Sequence, residues 1–315
     1  MVATLMPAMA SLTAFVALAA FVVAAPIIPG VVARTKAMLT GRRGSPVGQL
    51  YSDLFKLARR GVVYSTTSTL VFRVAPIVLV ATTVAAAALL PLDGRASMLH
   101  FAGDAVAFAY LLALGRFALV LAALDTGSSF EGMGASREVT FASLVEPGLF
   151  VVLAALGVMA NDFSLTAMLG EPVAKVSRGG GMLVPPSVML AVSLFALALA
   201  ECSRVPVDDP ATHLELTMVH EVMALDHSGP DLAMILYANA LKLALFSAII
   251  AYVLVPGSRL AGWPGLFMLL GSFVVVGVAI GIVESVMARL RLPKVPLYIA
   301  AGSALALFGL ILLLR

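Results

Sequence analysis

Long apolar runs recur along the chain, separated by short polar segments. A helix needs about 20 consecutive apolar residues to cross a bilayer core. The runs therefore predict eight spans, at roughly 5–33, 69–91, 104–124, 140–160, 184–202, 230–255, 263–289 and 295–314. The seventh is glycine-rich (GSFVVVGVAIGIVE), which permits close helix packing. The first apolar segment is too long for a signal-peptide core and lacks a basic start, so it is read as a retained helix. No fixed-period repeat or linker divides the chain. Residues 1–315 read as one transmembrane domain of an all-α, polytopic membrane protein.

Composition agrees with this reading. The chain is 61% hydrophobic and 12% charged, about half the charged share of an average soluble domain. Its net charge of +3 comes largely from one loop, which leaves a nucleic-acid partner without support. Cys202 is the only cysteine, so no intrachain disulfide, cysteine-rich zinc site or iron–sulfur cluster can be built from this chain.

The basic residues are placed asymmetrically. Arg34, Lys36, Arg42, Arg43, Lys56, Arg59 and Arg60 share the loop 34–68, and Arg137, Arg204, Arg289, Arg291 and Lys294 fall in loops on the same side. The opposite side holds Arg95, Lys175, Arg178, Arg259 and Arg315. Excess Lys and Arg mark the cytoplasmic side, so both termini are expected outside.

The polar residues that remain are crowded into Glu201–Gly229, ECSRVPVDDPATHLELTMVHEVMALDHSG, with apolar runs on both sides. Pro206 and Pro210 predict an extended or turned entry. Asp208 or Asp209 is placed to cap a helix starting near Ala211, and Thr212 to Asp226 reads as helical. On that helix His213, Thr217, His220, Ala224 and His227 share one face, expected to be a wet or docking surface. Glu215 and Asp226 sit among Val219 and Val222, and Glu221 sits beside Leu214 and Leu225. Carboxylates in an apolar stripe either pair with a base or stay partly protonated, and either fate suits proton handling. A solvated linker helix is the alternative. The three histidines are spaced seven apart, about 10 Å on a straight helix, so they do not jointly ligate a metal.

Ionisable residues at membrane depth point to function. Here these are Arg73, Arg116, Lys242 and Glu284, with Glu146 and Glu201 near span ends. Lys242 and Glu284 lie deepest and together suggest a polar line through the bilayer, or an internal ion pair that fixes packing. The basic loop offers two readings. GRRGSPVGQ is a tight turn carrying Arg42 and Arg43, followed by the amphipathic LYSDLFKLARR. It serves as a docking element or as an interfacial helix at lipid head groups.

In order, GRRGSPVGQLYSDLFKLARRGVV, ALGRFALVLAALDTGSSFEGMGASREVTFASLVEP, the acidic segment, ALKLALF and ESVMARLRLPKVP resemble the eight-helix membrane subunit of respiratory complex I (its subunit 1, or H subunit) and of membrane-bound group 4 NiFe hydrogenases, including formate hydrogenlyase. Glu201, Arg204, Pro206, Asp208, Pro210 and Glu215 match the complex I pattern ETNRAPFDLPEGEAELVAGFHTEYSG, while Asp209, Thr212 and His213 depart from it. The forms VDDPATHLELTMVHE and LDTGSSFEGMGASRE are similar to the hydrogenase branch.

The resemblance implies a non-catalytic membrane anchor and coupling subunit of a hydrogenase complex in the cytoplasmic (inner) membrane. It implies a proton (or sodium) path through Glu146, Glu201, Asp208, Asp209, Glu215, Glu221, Asp226, Lys242 and Glu284. It implies docking of the peripheral redox arm on Arg42, Arg43, Asp53, Lys56, Arg137, Glu138 and Arg204. No cofactor or metal is expected in this chain. Iron–sulfur clusters and the NiFe centre are expected in the hydrogenase large and small partner subunits, with antiporter-like membrane subunits and lipid as further partners. The alternatives are a quinone-site subunit of complex I and a free-standing ion transporter.

Overall fold

The computed structural model describes residues 2–94, 97–170, 184–209, 218–255 and 262–314, with side chains from Thr13 onward except Val184. Among these residues there is no strand. The helices are α1 (Val2–Ala24), α2 (Ile27–Leu39), α3 (Gln49–Ala58), α4 (Leu70–Ala88), α5 (Asp104–Asp125), α6 (Ser129–Ala160), α7 (Leu165–Gly170), α8 (Val184–Glu201), α9 (Gly229–Leu254), α10 (Trp263–Val286) and α11 (Val295–Leu313). Among the described residues 7 stretches are long and apolar enough to cross a membrane, and the shorter apolar helix Pro185–Glu201 stands where the fifth span was expected.

The expected first span, 5–33, is broken. Pro26 has no N–H, so the carbonyl of Val22, four residues earlier, has no helical donor. In hydrocarbon no water replaces that donor. Tyr237 Oη donates to Val22 O at 2.9 Å, and Tyr51 Oη donates to Val23 O. Two distant side chains thus satisfy the break, and the helix resumes as α2 to Leu39.

The expected fourth span, 140–160, begins eleven residues early, because α6 starts at Ser129. Gly134 lets this extension pack. A Cβ there would lie 2.1 Å from Val222 Cγ1 and 3.0 Å from Val219 O, so tertiary contact offsets the poor helix propensity of glycine.

Helix α9 runs through the middle of the bundle with most of its residues buried. It packs on α4, α8 and α3, while α5 packs on α4, α11 on α6 and α8, and α2 on α10. The glycines of α10 serve the expected close packing: a Cβ on Gly281 would stand 2.6 Å from Thr35 Cβ.

The helix expected over 212–226 is not formed in its described part. Residues 210–217 lie outside the described residues, and from Met218 on there is a short 3-10 turn, Glu221–Ala224. Asp208 organises it. One carboxylate oxygen accepts the amides of Val219 at 3.1 Å and His220 at 3.3 Å, and the other meets Arg289 Nη2 at 2.8 Å. The segment then wraps against α6 and sends Met223 and Ala224 into a core with Leu79, Leu119 and Ile235. His220 and His227, expected on a wet face, are buried.

Candidate functional site

Four helices bring five charges together where α5, α6, α8 and α9 meet. Arg116, buried on α5, forks between two carboxylates. Its Nη1 donates to Glu146 Oε1 at 2.9 Å, and its Nη2 donates to Glu201 Oε1 at 2.8 Å. Lys242 Nζ lies 3.5 Å from that same Glu201 oxygen, and Glu138 Oε1 lies 3.9 Å from Arg116 Nε. Glu138, Glu201 and Lys242 are buried, while the Glu146 side chain stays 41% exposed on the outer wall of the bundle. Three acidic side chains face two basic ones, so one proton beyond the fully ionised set brings the cluster to neutrality. Such an excess charge in a poorly solvated interior is a place to hold a proton.

A cavity of about 410 Å³ lies on the basic-loop side of this cluster, between α2, α3, α9 and the 218–228 segment. One part of its lining is apolar, with Pro29, Leu50, Leu232, Leu236 and Leu243. Another is polar, with Arg204, Asp208, His220, Glu221, His227 and Asn239. His220 Nε2 meets Asn239 Nδ2 at 2.8 Å. The amide donates, so Nε2 accepts and the proton of the neutral ring sits on Nδ1, which has no partner among the described residues. Burial first, and then the charge of Lys242, push His220 down to about 4. The ring lines the cavity and feels the charges of Lys242 and Glu201, so it stands between cavity and cluster.

His227 stacks on Phe72, with ring centroids 3.9 Å apart and planes at 8°. Neither ring nitrogen has a hydrogen-bond partner among the described residues, and burial pushes this imidazole down to about 4 as well. Both histidines titrate near 6.5 when unfolded. Their folded values are lower, so their neutral-state contribution is complete above about pH 6.5 and is lost as the pH falls toward 4. The thermal midpoint of the purified complex should therefore decline across that window. His227→Phe, which keeps the stacking surface, should flatten the decline. An unchanged acid slope in this variant would show that His227 is not its source.

The structure distributes the other sequence-predicted residues differently. Glu284, expected to line up with Lys242, belongs to a separate group: its carboxylate meets Lys36 Nζ at 3.0 Å and Arg204 Nε at 3.1 Å. Arg204, expected on a docking surface, is thus turned inward as an ion-pair partner. Glu138 departs the same way, buried beside Arg116. Arg137 donates to Met218 O at 2.9 Å and so ties α6 to the turn segment. Asp226, expected in an apolar stripe, is exposed, and its amide donates to Glu131 Oε1 at 3.2 Å. Glu221 stands on the cavity wall, and Asp209 is half-buried with its amide on Asp208. Arg42 and Arg43 are exposed. Asp53 accepts from Gln49 at 2.9 Å and lies 3.8 Å from Lys56. Glu215 lies outside the described residues. Among the described residues no three His, Cys, Asp or Glu side chains converge as metal ligands.

Sequence reasoning missed Asn239, Glu131 and the role of Arg289. Asn239 was findable, as an amide within a membrane-spanning run has to bond to something. Glu131 was hidden by its setting in SSFEGMG, which reads as a loop although the residue is fully buried.

Three comparisons bear on this arrangement. Residues 11–314 match the family model described as NADH dehydrogenase. The chain is 33% identical over 274 residues to hydrogenase-4 component C of Escherichia coli (strain K12), covering 84% of each chain. It is 31% identical over 303 residues to formate hydrogenlyase subunit 4 of the same organism, covering 92% of this chain and 94% of that one. Its fold superposes on a chain of the membrane-bound sulfane sulfur reductase, an archaeal respiratory membrane complex, with a TM-score of 0.81 at 19% identity, covering 96% of this chain and 98% of that chain.

Proposed function

This chain belongs to the NADH dehydrogenase family, and from that premise we propose that it is the membrane anchor and coupling subunit of an energy-converting, formate hydrogenlyase-like hydrogenase. The two hydrogenase relatives, matched over most of their lengths, support that branch. The observation that carries the coupling role is the buried cluster of Arg116, Glu138, Glu146, Glu201 and Lys242. It holds one carboxylate more than its cations balance, and it runs from beside the cavity to the outer wall at Glu146. A change of charge on the cavity side shifts the proton affinity of every coupled group in such a cluster. A half-exposed carboxylate at membrane depth calls for a polar neighbour, which a second, antiporter-like membrane subunit at that wall supplies.

In this reading the hydrogenase large and small subunits sit over the basic side. Arg42 and Arg43, exposed in their turn, meet carboxylates there. The NiFe centre and iron–sulfur clusters belong to those partners. The complex lies in the cytoplasmic (inner) membrane with both termini outside, as the asymmetry of basic loops supports. A cysteine at Ser45, in a Cys202→Ser background, should then label only from the cytoplasmic face, and labelling from outside would reverse the topology.

The large, partly apolar cavity favours a second reading, a quinone-site subunit of complex I. One preparation separates the two. The gently solubilised complex should retain a nickel-containing large subunit, turn over hydrogen and lack quinone reductase activity. A nickel-free complex that reduces quinone would replace the first reading with the second.

A further inference from the structure

Helix α3 has two apolar faces, and the bundle covers one. Leu50, Leu54 and Leu57 turn inward, with Leu50 on the cavity wall. Tyr51 and Phe55, one turn apart, point outward, and Phe55 is 58% exposed. No residue of α3 is fully buried.

The depth of this helix follows from its contacts. Tyr51 bonds the Val23 carbonyl next to the one taken by Tyr237, and Tyr237 lies eight residues, about 12 Å, inside the span α9. Val47 O packs so closely on α2 that a Cβ on Gly30 would come within 1.9 Å of it. At the other end Gly61 O lies against Gly229, where a Cβ would stand 2.8 Å away, and Val63 N donates to Ser228 Oγ at 3.1 Å. Helix α3 therefore climbs along α9, from the level of Tyr237 to the level of the α9 N-terminus. Val23, beside its deep end, is 65% exposed on the outer surface of α1, so one apolar strip runs from a spanning helix onto α3. Where the strip ends, the charge begins: the Arg59 guanidinium stacks on the Phe55 ring, 4.1 Å from its centroid, and Lys56 and Arg60 are exposed around it.

We propose that α3 is set into the cytoplasmic leaflet and that its outward face binds an acidic phospholipid. Tyr51 and Phe55 lie against the acyl chains, and Arg59 with Lys56 and Arg60 holds the phosphate headgroup. The order of side chains along the helix matches the order of layers in a leaflet, apolar below and cationic above. If the arm sits over the basic side, as proposed above, it stands above the level of Tyr237 and leaves the deep part of this face to lipid.

The test uses the intact complex with p-benzoylphenylalanine in place of Phe55, reconstituted in vesicles of equal phosphatidylglycerol and phosphatidylcholine. After irradiation, mass spectrometry identifies what position 55 captures. Lipid adducts should form with phosphatidylglycerol in excess, and that excess should fall about fivefold for each cation removed in Arg59→Gln and Lys56→Gln backgrounds. Capture of a polypeptide overturns the proposal. So do lipid adducts in equal amounts that ignore these substitutions. So does the absence of lipid adducts at position 55 when the same probe at Val275, exposed on α10, captures lipid.

Discussion

Arg116→Met should prevent the complex from accumulating. Among the described residues, Arg116 alone reaches all three carboxylates of the central cluster, at 2.8, 2.9 and 3.9 Å. Methionine replaces its volume but leaves Glu138 and Glu201 buried with Lys242 alone to offset them. Removing one partner of a buried ion pair typically costs about 3–5 kcal/mol, a large fraction of the stability of most domains. Arg116→Lys should be intermediate, since an ammonium keeps the charge but cannot fork to carboxylates on two helices. The readouts are the amount of assembled complex in membranes and its thermal midpoint. The double variant Arg116→Met, Glu201→Gln should recover part of the loss, because it removes one of the stranded charges. Full assembly of Arg116→Met, or a double variant worse than the single, would mean that charge balance does not hold these helices together.

Glu201→Gln should do the opposite: assembly stays near normal and coupling fails. The amide has nearly the same size and keeps an acceptor for Arg116 Nη2, but it neither titrates nor carries charge. Glu201 lies within ion-pair distance of both Arg116 and Lys242, so a proton passing between the cavity side and Glu146 meets it. Loss of a positioned proton-transfer group lowers rates by about a hundredfold or more. Proton uptake into sealed vesicles per hydrogen turned over should fall at least tenfold, while the quantity of assembled complex changes little. Glu201→Asp, which retains a titrating group, should keep more coupling than Gln. Unaltered uptake and turnover in Glu201→Gln would leave the cluster as a packing device.

What could be read in the chain and what could not divide along a physical line. Crossing hydrocarbon is a local requirement, met by about twenty apolar residues in succession. The spans were therefore legible, even α8, whose apolar helix is short. The cost of an ionisable group at membrane depth is also local, so Arg116, Lys242, Glu146, Glu201 and Glu284 stood out from the sequence.

Which of them meet is not local. Lys242 and Glu284 appeared to form one polar line, yet packing gives Lys242 to Glu201 and Glu284 to Lys36 and Arg204. The acidic segment fails as a helix in its described half for a similar reason. A periodic sequence there meets the carboxylate of Asp208 and the glycine face of α6, and those contacts outweigh helix propensity, which is worth tenths of a kcal/mol per residue. Helix α3 reads as an amphipathic element in any setting. Its depth is set by contacts with distant helices, among them Tyr51 on the carbonyl next to the one Tyr237 takes, because depth is a relation between helices and not a property of one. The sequence by itself determined the membrane, the spans and the roster of unusual charges, since each rests on a transfer cost of its own residues. The tertiary structure alone decided their partners, the burial of His220 and His227, and the cavity beside them, since each requires segments far apart in the chain to come into contact.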